Sequence, residues 1–125
     1  MTEIPVCVFA KPPLAGHVKT RLAPFIGSRE AAALAAAMLR DTWSVVQSVP
    51  DVVPVLAATE PGLFGIDVPG ARIWLQPPGD LGLRMEDILR RGLQTRPAAI
   101  ALGADSPLLT PAHVREALQH LNRST

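Results

Sequence analysis

Apolar residues in this chain concentrate in four short runs that have the length and composition of β-strands. The runs cover residues 4–10, 52–59, 71–76 and 98–102. The first and last runs contain no alternating polar positions, which predicts strands of a parallel sheet that are covered on both faces. Pro54 interrupts the second run and predicts an edge position or a bulge there.

Three segments between or after these runs carry the 3.6-residue periodicity of amphipathic helices. The first covers residues 29–49, with Ser28 as its N-cap. Its predicted buried face is formed by Leu34, Met38, Val45 and Val49. The second helix covers residues 83–95. The third follows Thr110, which is predicted to cap it, with Pro111 in its first turn.

In chain order the predicted elements are β-α-β-β-α-β-α. Apolar strands joined by helices are typical of a parallel α/β sheet with right-handed crossovers. Ligands of such sheets bind beyond the carboxyl ends of the strands, where the strand order reverses. The loops after the first and fourth strands therefore meet if these two strands are neighbours.

Length and composition narrow the class of protein. A chain of 125 residues is one domain with room for a buried core. No apolar run approaches the roughly 20 residues of a membrane span. No basic segment precedes the first run, so no secretory signal is predicted and the protein is expected in the cytoplasm. The single cysteine, Cys7, excludes an internal disulfide, and its place in the middle of the first run predicts that it is buried. Trp43 and Trp74 are predicted to be core residues. A net charge of +1 argues against general binding to nucleic acid or to an acidic membrane.

Both lysines of the chain lie in the loop "KPPLAGHVKTRL" that follows the first run. Lys11, Lys19 and Arg21 supply positive charge, Thr20 adds a hydroxyl, and Gly16 allows a tight turn close to a ligand. These groups suit a di- or triphosphate. The alternative is a solvated surface loop with ordinary lysines. A Walker A loop is excluded because Gly16 stands three residues before Lys19 instead of beside it.

Two further segments carry candidate chemistry. Asp105 directly follows the fourth run and could hold Mg²⁺ or Mn²⁺, or else form a turn before Pro107. In "QPPGDLGLRM", Asp80 could cap the following helix, and Arg84 lies one turn further on, where it could contact a phosphate or a base.

The segments "FAKPPLAGHVKTRLAP", "QPPGDLGLRM" and "GADSPLL" together resemble bacterial proteins of the nucleotide-diphospho-sugar transferase superfamily, which have the GT-A glycosyltransferase fold and include the DUF2064 proteins. More distantly, the chain is similar to phospholactate guanylyltransferase and the molybdenum cofactor nucleotidyltransferases. The resemblance runs over nearly the whole chain. It implies a three-layer α/β sandwich with a mostly parallel sheet in the strand order 3-2-1-4.

The resemblance also implies roles for individual residues. The predicted phosphate-binding residues are Lys11, Gly16, Lys19, Thr20 and Arg21. Asp80 and Arg84 are expected near the base or ribose, and Asp105 matches the metal-binding aspartate of a DxD motif of which only one acidic position is present. The implied function is a nucleotide-dependent transferase, glycosyltransferase-like or nucleotidyltransferase, that binds an NTP or NDP-sugar with Mg²⁺ or Mn²⁺.

Members of the family are longer than this chain. Residues 1–125 are therefore expected to be the nucleotide-binding portion of a GT-A-like domain, without the acceptor-binding half and its loop resembling "GPAxDGGY". An open sheet edge and exposed apolar surface would favour self-association as a homodimer. The alternative function is a non-catalytic nucleotide-binding or dimerising module.

Overall fold

A computed structural model describes residues 3–11, 26–60, 72–103 and 111–124, and in the last of these ranges it describes the side chains of 112–119. The described elements follow the predicted β-α-β-β-α-β-α order. They are β1 (Ile4–Ala10), α1 (Ser28–Ser48), β2 (Val52–Ala58), β3 (Arg72–Leu75), α2 (Leu81–Leu93), β4 (Ile100–Gly103) and α3 (Pro111–Ser124). Within these ranges, we find no helix with the length and apolar character that crossing a membrane requires.

The strands form one parallel sheet in the order β3-β2-β1-β4, which confirms the predicted order 3-2-1-4. Cys7 in the middle of β1 aligns with Val55 of β2 on one side and with Ala101 of β4 on the other. The chain moves outward from β1 to β2 and β3 and then returns to place β4 against the free side of β1. The strand order therefore reverses between β1 and β4, which is where sheets of this kind bind ligands.

Helices cover both faces of the sheet. One face packs against α1 and α3, and its buried core consists of Val6, Val8, Leu39, Trp43, Val46, Val49, Leu56, Ala58 and Val114. The other face packs against α2, and its buried core consists of Cys7, Val53, Val55, Ala57 and Ile88. Successive side chains of a strand point to opposite faces, so β1 contributes to both cores. The predicted three-layer α/β sandwich is confirmed.

Helix α1 differs from its prediction in its cap and in its buried face. The N-cap is Gly27 rather than Ser28, and the amide of Ala31 donates to the Gly27 carbonyl oxygen at 3.0 Å. Gly27 has a φ of 93°, a conformation that glycine adopts without the steric cost that serine would incur. Leu34, predicted to be buried, is 40% exposed. Val49 is buried and Val45 packs against the core, as predicted. The rest of the buried face is formed by Leu39, Trp43 and Val46.

Pro54 lies within an interior strand, where proline is normally excluded. The pairing of β2 with β3 begins only at Val55, so among the described residues Pro54 has a strand partner on the β1 side alone. The Ala58 carbonyl oxygen accepts from the Gln76 amide of the chain leaving β3. Because every second residue directs its backbone groups to the same side, the missing N–H of Pro54 faces the β3 side, where no pairing is described. The predicted edge position is wrong, because β2 is an interior strand of the sheet.

Cys7 and Trp43 are core residues, as predicted. Cys7 is fully buried, and burial raises the pKa of its thiol to about 11. Trp43 is 2% exposed. Trp74 is partly buried against the α2-side core, and the guanidinium of Arg91 lies 4.5 Å from the centre of its ring. None of these three side chains contributes to the ligand-binding edge described below.

Candidate functional site

The carboxyl ends of the parallel strands meet along one edge of the sheet. Lys11 follows β1 and is exposed, Thr59 follows β2, and Gln76 follows β3. Backbone hydrogen bonds connect these ends: the Thr59 amide donates to the Ala10 carbonyl at 3.3 Å, and the Gln76 amide donates to the Ala58 carbonyl at 2.8 Å. Three segments that are distant in sequence are therefore neighbours at this edge.

A pocket of about 290 Å³ opens at the ends of β2 and β3. Its lining residues come from the ends of these strands and from the first turn of α2: Thr59, Gln76, Pro77, Pro78 and Arg84. Small-molecule pockets usually measure roughly 300–1,000 Å³, so this one matches a compact chemical group. The two prolines supply rigid apolar walls, and the other three residues supply hydrogen-bonding groups.

Gln76 is held by hydrogen bonds at both its backbone and its side chain. Its Nε2 donates to the carbonyl oxygen of Ala57 at 2.7 Å. A carbonyl oxygen requires a donor, so this contact determines which end of the amide is the nitrogen. Gln76 can consequently offer a ligand its Oε1 as an acceptor and the second N–H of Nε2 as a donor.

Arg84 lines the same pocket with an unsatisfied donor. Its Nε is buried and has no hydrogen-bond partner among the described residues. A buried donor without a partner costs about 1–3 kcal/mol, and such groups are characteristic of functional sites. The permanent positive charge also lies near the N-terminus of α2, where the helix dipole disfavours cations. Both terms weaken the free protein, and both become smaller when an electron-rich ligand atom approaches.

Asp80 has a well-defined structural role. Its Oδ1 accepts from the Leu83 amide at 2.9 Å, and its carbonyl oxygen accepts from the Arg84 amide at 3.1 Å. This confirms the predicted N-cap and moves the start of α2 two residues earlier, to Leu81. Gly79, with a φ of 125°, makes the turn that precedes the cap. Contact between Asp80 and a nucleotide stays a prediction.

Five of the predicted site residues lie outside the described residues: Gly16, Lys19, Thr20, Arg21 and Asp105. Their phosphate-binding and metal-binding roles stay predictions. Lys11, which is described, lies at the end of β1 where the phosphate-binding loop is expected to begin. In the part of the chain that the structure describes, no group of three or more His, Cys, Asp or Glu side chains is arranged to hold a metal ion.

Thr59, Gln76, Pro77 and Pro78 were not predicted as site residues. The signal that could have identified Thr59 and Gln76 is their position: each is the polar residue that directly follows a strand. The same criterion selected the loops after the first and fourth strands. The segment that begins at Gln76 was selected too, but for Asp80 and Arg84, and the predicted strands 52–59 and 71–76 include Thr59 and Gln76 as their last residues.

Comparison with solved structures identifies the fold. The chain superposes with a TM-score of 0.89 and 23% sequence identity on a protein from Desulfovibrio desulfuricans G20 that is described provisionally as a nucleotide-diphospho-sugar transferase. The match covers 98% of this chain and 55% of that protein, so the chain spans about half of its relative's length. This likeness confirms the predicted nucleotide-diphospho-sugar transferase fold. A search of curated proteins found no significant match.

Comparison with protein families identifies the family. Residues 34–125 match the family described as "Uncharacterized protein conserved in bacteria (DUF2064)". This range includes all of the residues that line the pocket. The predicted distant similarity to phospholactate guanylyltransferase and the molybdenum cofactor nucleotidyltransferases stays a prediction. The match extends over most of the chain, and the chain therefore belongs to the DUF2064 family.

Proposed function

We propose that this chain binds a nucleotide, as an NTP or an NDP-sugar, and forms the nucleotide-binding part of a transferase. The observation that carries the proposal is the pocket at the ends of β2 and β3, which is lined by Arg84, a cation whose Nε is buried without a partner among the described residues. A pocket at the carboxyl ends of parallel strands that is lined by a cationic side chain is suited to an electron-rich ligand.

The distances along the edge suit a ligand with two chemically different ends. Neighbouring strands are about 4.8 Å apart, so the pocket lies roughly 5–10 Å from the end of β1, where Lys11 begins the basic loop. The pocket combines two proline walls with three polar residues, whereas the loop is rich in cations. A nucleotide has a flat base at one end and charged phosphates at the other, and it matches both regions.

The proposed chemistry is transfer of a glycosyl or nucleotidyl group. The basic loop would position the phosphates, with Lys11 nearest to β1 and Lys19 and Arg21 further along the loop. A Mg²⁺ or Mn²⁺ ion, with Asp105 as a protein ligand, would neutralise charge on the phosphate leaving group. The similarity of the fold to a protein described as a nucleotide-diphospho-sugar transferase supports this class of reaction.

A second candidate function is a non-catalytic module that associates with itself. The observation that favours it is edge strand β3, which pairs on one side only among the described residues and carries Ile73 and Leu75 at 40% and 50% exposure. Exposed apolar residues on an unpaired edge favour association. Light scattering across a concentration series distinguishes a homodimer from a monomer.

Isothermal titration calorimetry with the common NTPs and NDP-sugars tests the nucleotide proposal. We expect binding to at least one of them in Mg²⁺ or Mn²⁺ and weaker binding in EDTA. Arg84→Ala should lower the affinity, whereas Arg90→Ala is a matched control, because Arg90 lies on the same helix but pairs with Glu86 at the exposed surface. Failure of the folded protein to bind any of these nucleotides would refute the proposal.

A further inference from the structure

The outward face of α1 carries charges of opposite sign along its two edges. Arg29 and Arg40 are eleven residues apart, which is about three turns of a helix, so they lie on one line along α1. Glu30 and Asp41 each follow one of these arginines and therefore lie about 100° further round the helix. All four residues are exposed. Helix α1 thus has a basic edge and an acidic edge on the side turned away from the sheet.

The central charges of this face, Arg40 and Asp41, have no partner within the helix. Ion pairs on a helix surface join residues three or four positions apart, and at those positions the chain has only alanine, methionine, tryptophan, serine and valine. Neither residue forms an ion pair with another described residue. Glu30 differs, because its Oε2 would lie 2.6 Å from a Cβ atom built on Gly27, at the start of the helix. The central couple is therefore the one available to another molecule.

Small side chains separate the two charged edges. Ala33, Ala37 and Ser44 lie on the line between them, and none of the three is buried. Small residues allow a second helix to approach to an interaxial distance of about 8 Å. Leu34, beside this line, is 40% exposed and adds apolar surface. The face therefore suits another helix whose edges carry the opposite charges.

The face of α1 is complementary to itself in one orientation only. Around a two-fold axis parallel to the helix, the basic edge of one copy meets the acidic edge of the other, so that Arg40 faces Asp41 twice. In an antiparallel pair each edge would meet its own equivalent, and like charges would repel. The charge pattern therefore favours a second copy of this chain, packed with the two helices parallel.

We infer that α1 is a dimer interface at which two copies pack with their α1 helices parallel and exchange ion pairs between Arg40 and Asp41. A helix of 21 residues is about 31 Å long, and one face of it buries less than the roughly 1,600 Å² of a standard interface, so the association should be weak and reversible. The inference is independent of nucleotide binding and concerns a different surface from the edge of β3.

Sedimentation equilibrium over a concentration series, at low and high salt, tests the inference. We expect a reversible dimer that weakens as salt screens the charges. Arg40→Glu and Asp41→Arg should each weaken it about tenfold, because each brings like charges together. An equimolar mixture of the two variants should dimerise again, since one then has two acidic and the other two basic residues at these positions. Arg90→Glu, on the exposed surface of α2, is the control and should have no effect.

A disulfide tests the orientation. In a parallel pair position 33 meets itself, so Ala33→Cys should cross-link under mild oxidation, whereas the wild type should not, because Cys7 is buried. A monomer at every concentration, or a dimer that neither charge variant weakens, overturns the inference. Loss of the dimer in Leu75→Glu but not in the α1 variants assigns the interface to β3 and overturns it as well. Charge-dependent dimers without the cross-link overturn the parallel orientation.

Discussion

Arg84 carries an energetic cost in the free protein, and the proposed function assigns it to ligand binding. Its Nε is buried without a partner among the described residues, and its charge lies near the positive end of the α2 dipole. Nothing in the packing of α2 requires a cation at this position. A side chain of similar length without the charge would retain the packing of the alkyl chain and remove both unfavourable terms.

We therefore expect Arg84→Met to stabilise the ligand-free protein by about 1 kcal/mol, because it removes a buried unsatisfied donor. Equilibrium denaturation in urea measures the free energy of unfolding. Arg90→Met is the control and should change it by less than about 0.5 kcal/mol, since Arg90 forms an exposed pair with Glu86 on the same helix. A loss of stability in Arg84→Met comparable to that of a core substitution would show that the guanidinium is structurally required.

The residues of the site differ in how far local sequence could predict them. The Asp80 cap follows from local chemistry, because its carboxylate bonds an amide three residues away. The proposal of Ser28 as a cap failed because the φ of 93° at Gly27 reflects how the chain enters α1, which no composition rule specifies. Gln76 bonds a carbonyl of β2, a contact that strand pairing alone creates.

At the scale of elements, α2 depends on a close approach to the sheet. Gly92 is buried in its last turn, and a Cβ atom added there would lie 3.0 Å from the Cβ of Ala99 and 3.6 Å from the Cγ of Pro5. The glycine thus allows the helix to approach both β1 and the chain that leads into β4. Its helix propensity is poor, so the packing at this position outweighs the propensity.

Gly92→Val should destabilise the protein by about 1–3 kcal/mol, because its side chain overfills this contact. Thermal and urea denaturation measure the loss. Leu93→Val is the matched control: it places the same β-branched residue in the same turn, at a position that is 52% exposed, and should cost well below 1 kcal/mol. Equal effects of the two substitutions would contradict a close contact between Gly92 and Ala99, because helix propensity alone favours valine over glycine and leucine over valine.

Periodicity predicted the type of every described element and misplaced several of their ends. The predicted buried face of α1 contained Leu34, which is 40% exposed, because the helix is rotated so that Leu39 and Trp43 enter the core. Periodicity identifies a stripe along a helix, but a partly apolar helix has more than one possible stripe. The sheet surface that the helix meets determines which of them is buried.

At the scale of the whole molecule, β1 is the centre of the fold. It pairs with β2 and β4 and contributes to both cores, and Cys7 lies at the middle of it with no exposed surface. Burial holds the pKa of this thiol at about 11. The thiol can therefore react only when α2 and the sheet separate and expose this core.

Cys7 should be unreactive toward a thiol reagent in the native protein at pH 8 and should be labelled at the rate of unfolding when urea is added. Measurement of the labelling rate against urea concentration, beside unfolding followed by circular dichroism, checks this. Rapid labelling of the native protein would contradict the described burial. Reduced N-acetylcysteine, reacted in parallel at each urea concentration, is the control for reagent activity.

The raised pKa of Cys7 also predicts how the stability of the fold depends on pH. The unfolded thiol loses its proton near pH 9, whereas the folded thiol keeps it until about pH 11. Between these values the unfolded state binds fewer protons, so the contribution of Cys7 is complete below pH 9 and is lost as the pH rises toward 11. Cys7→Ala should lack this pH-dependent contribution to the free energy of unfolding. Between pH 9 and 11, the stability of the variant should therefore fall less steeply than that of the wild type.

The sequence by itself determined the order of the elements, their parallel α/β arrangement, the buried cysteine and the Asp80 cap. These properties follow from hydrophobic periodicity and short-range hydrogen bonds, which operate over a few neighbouring residues. Only the tertiary structure decided which face of α1 is buried and that Thr59, Gln76 and Arg84 form one pocket. The reason is physical: strand pairing and the packing of α2 bring these three residues together across long separations in sequence, and no local pattern records such contacts.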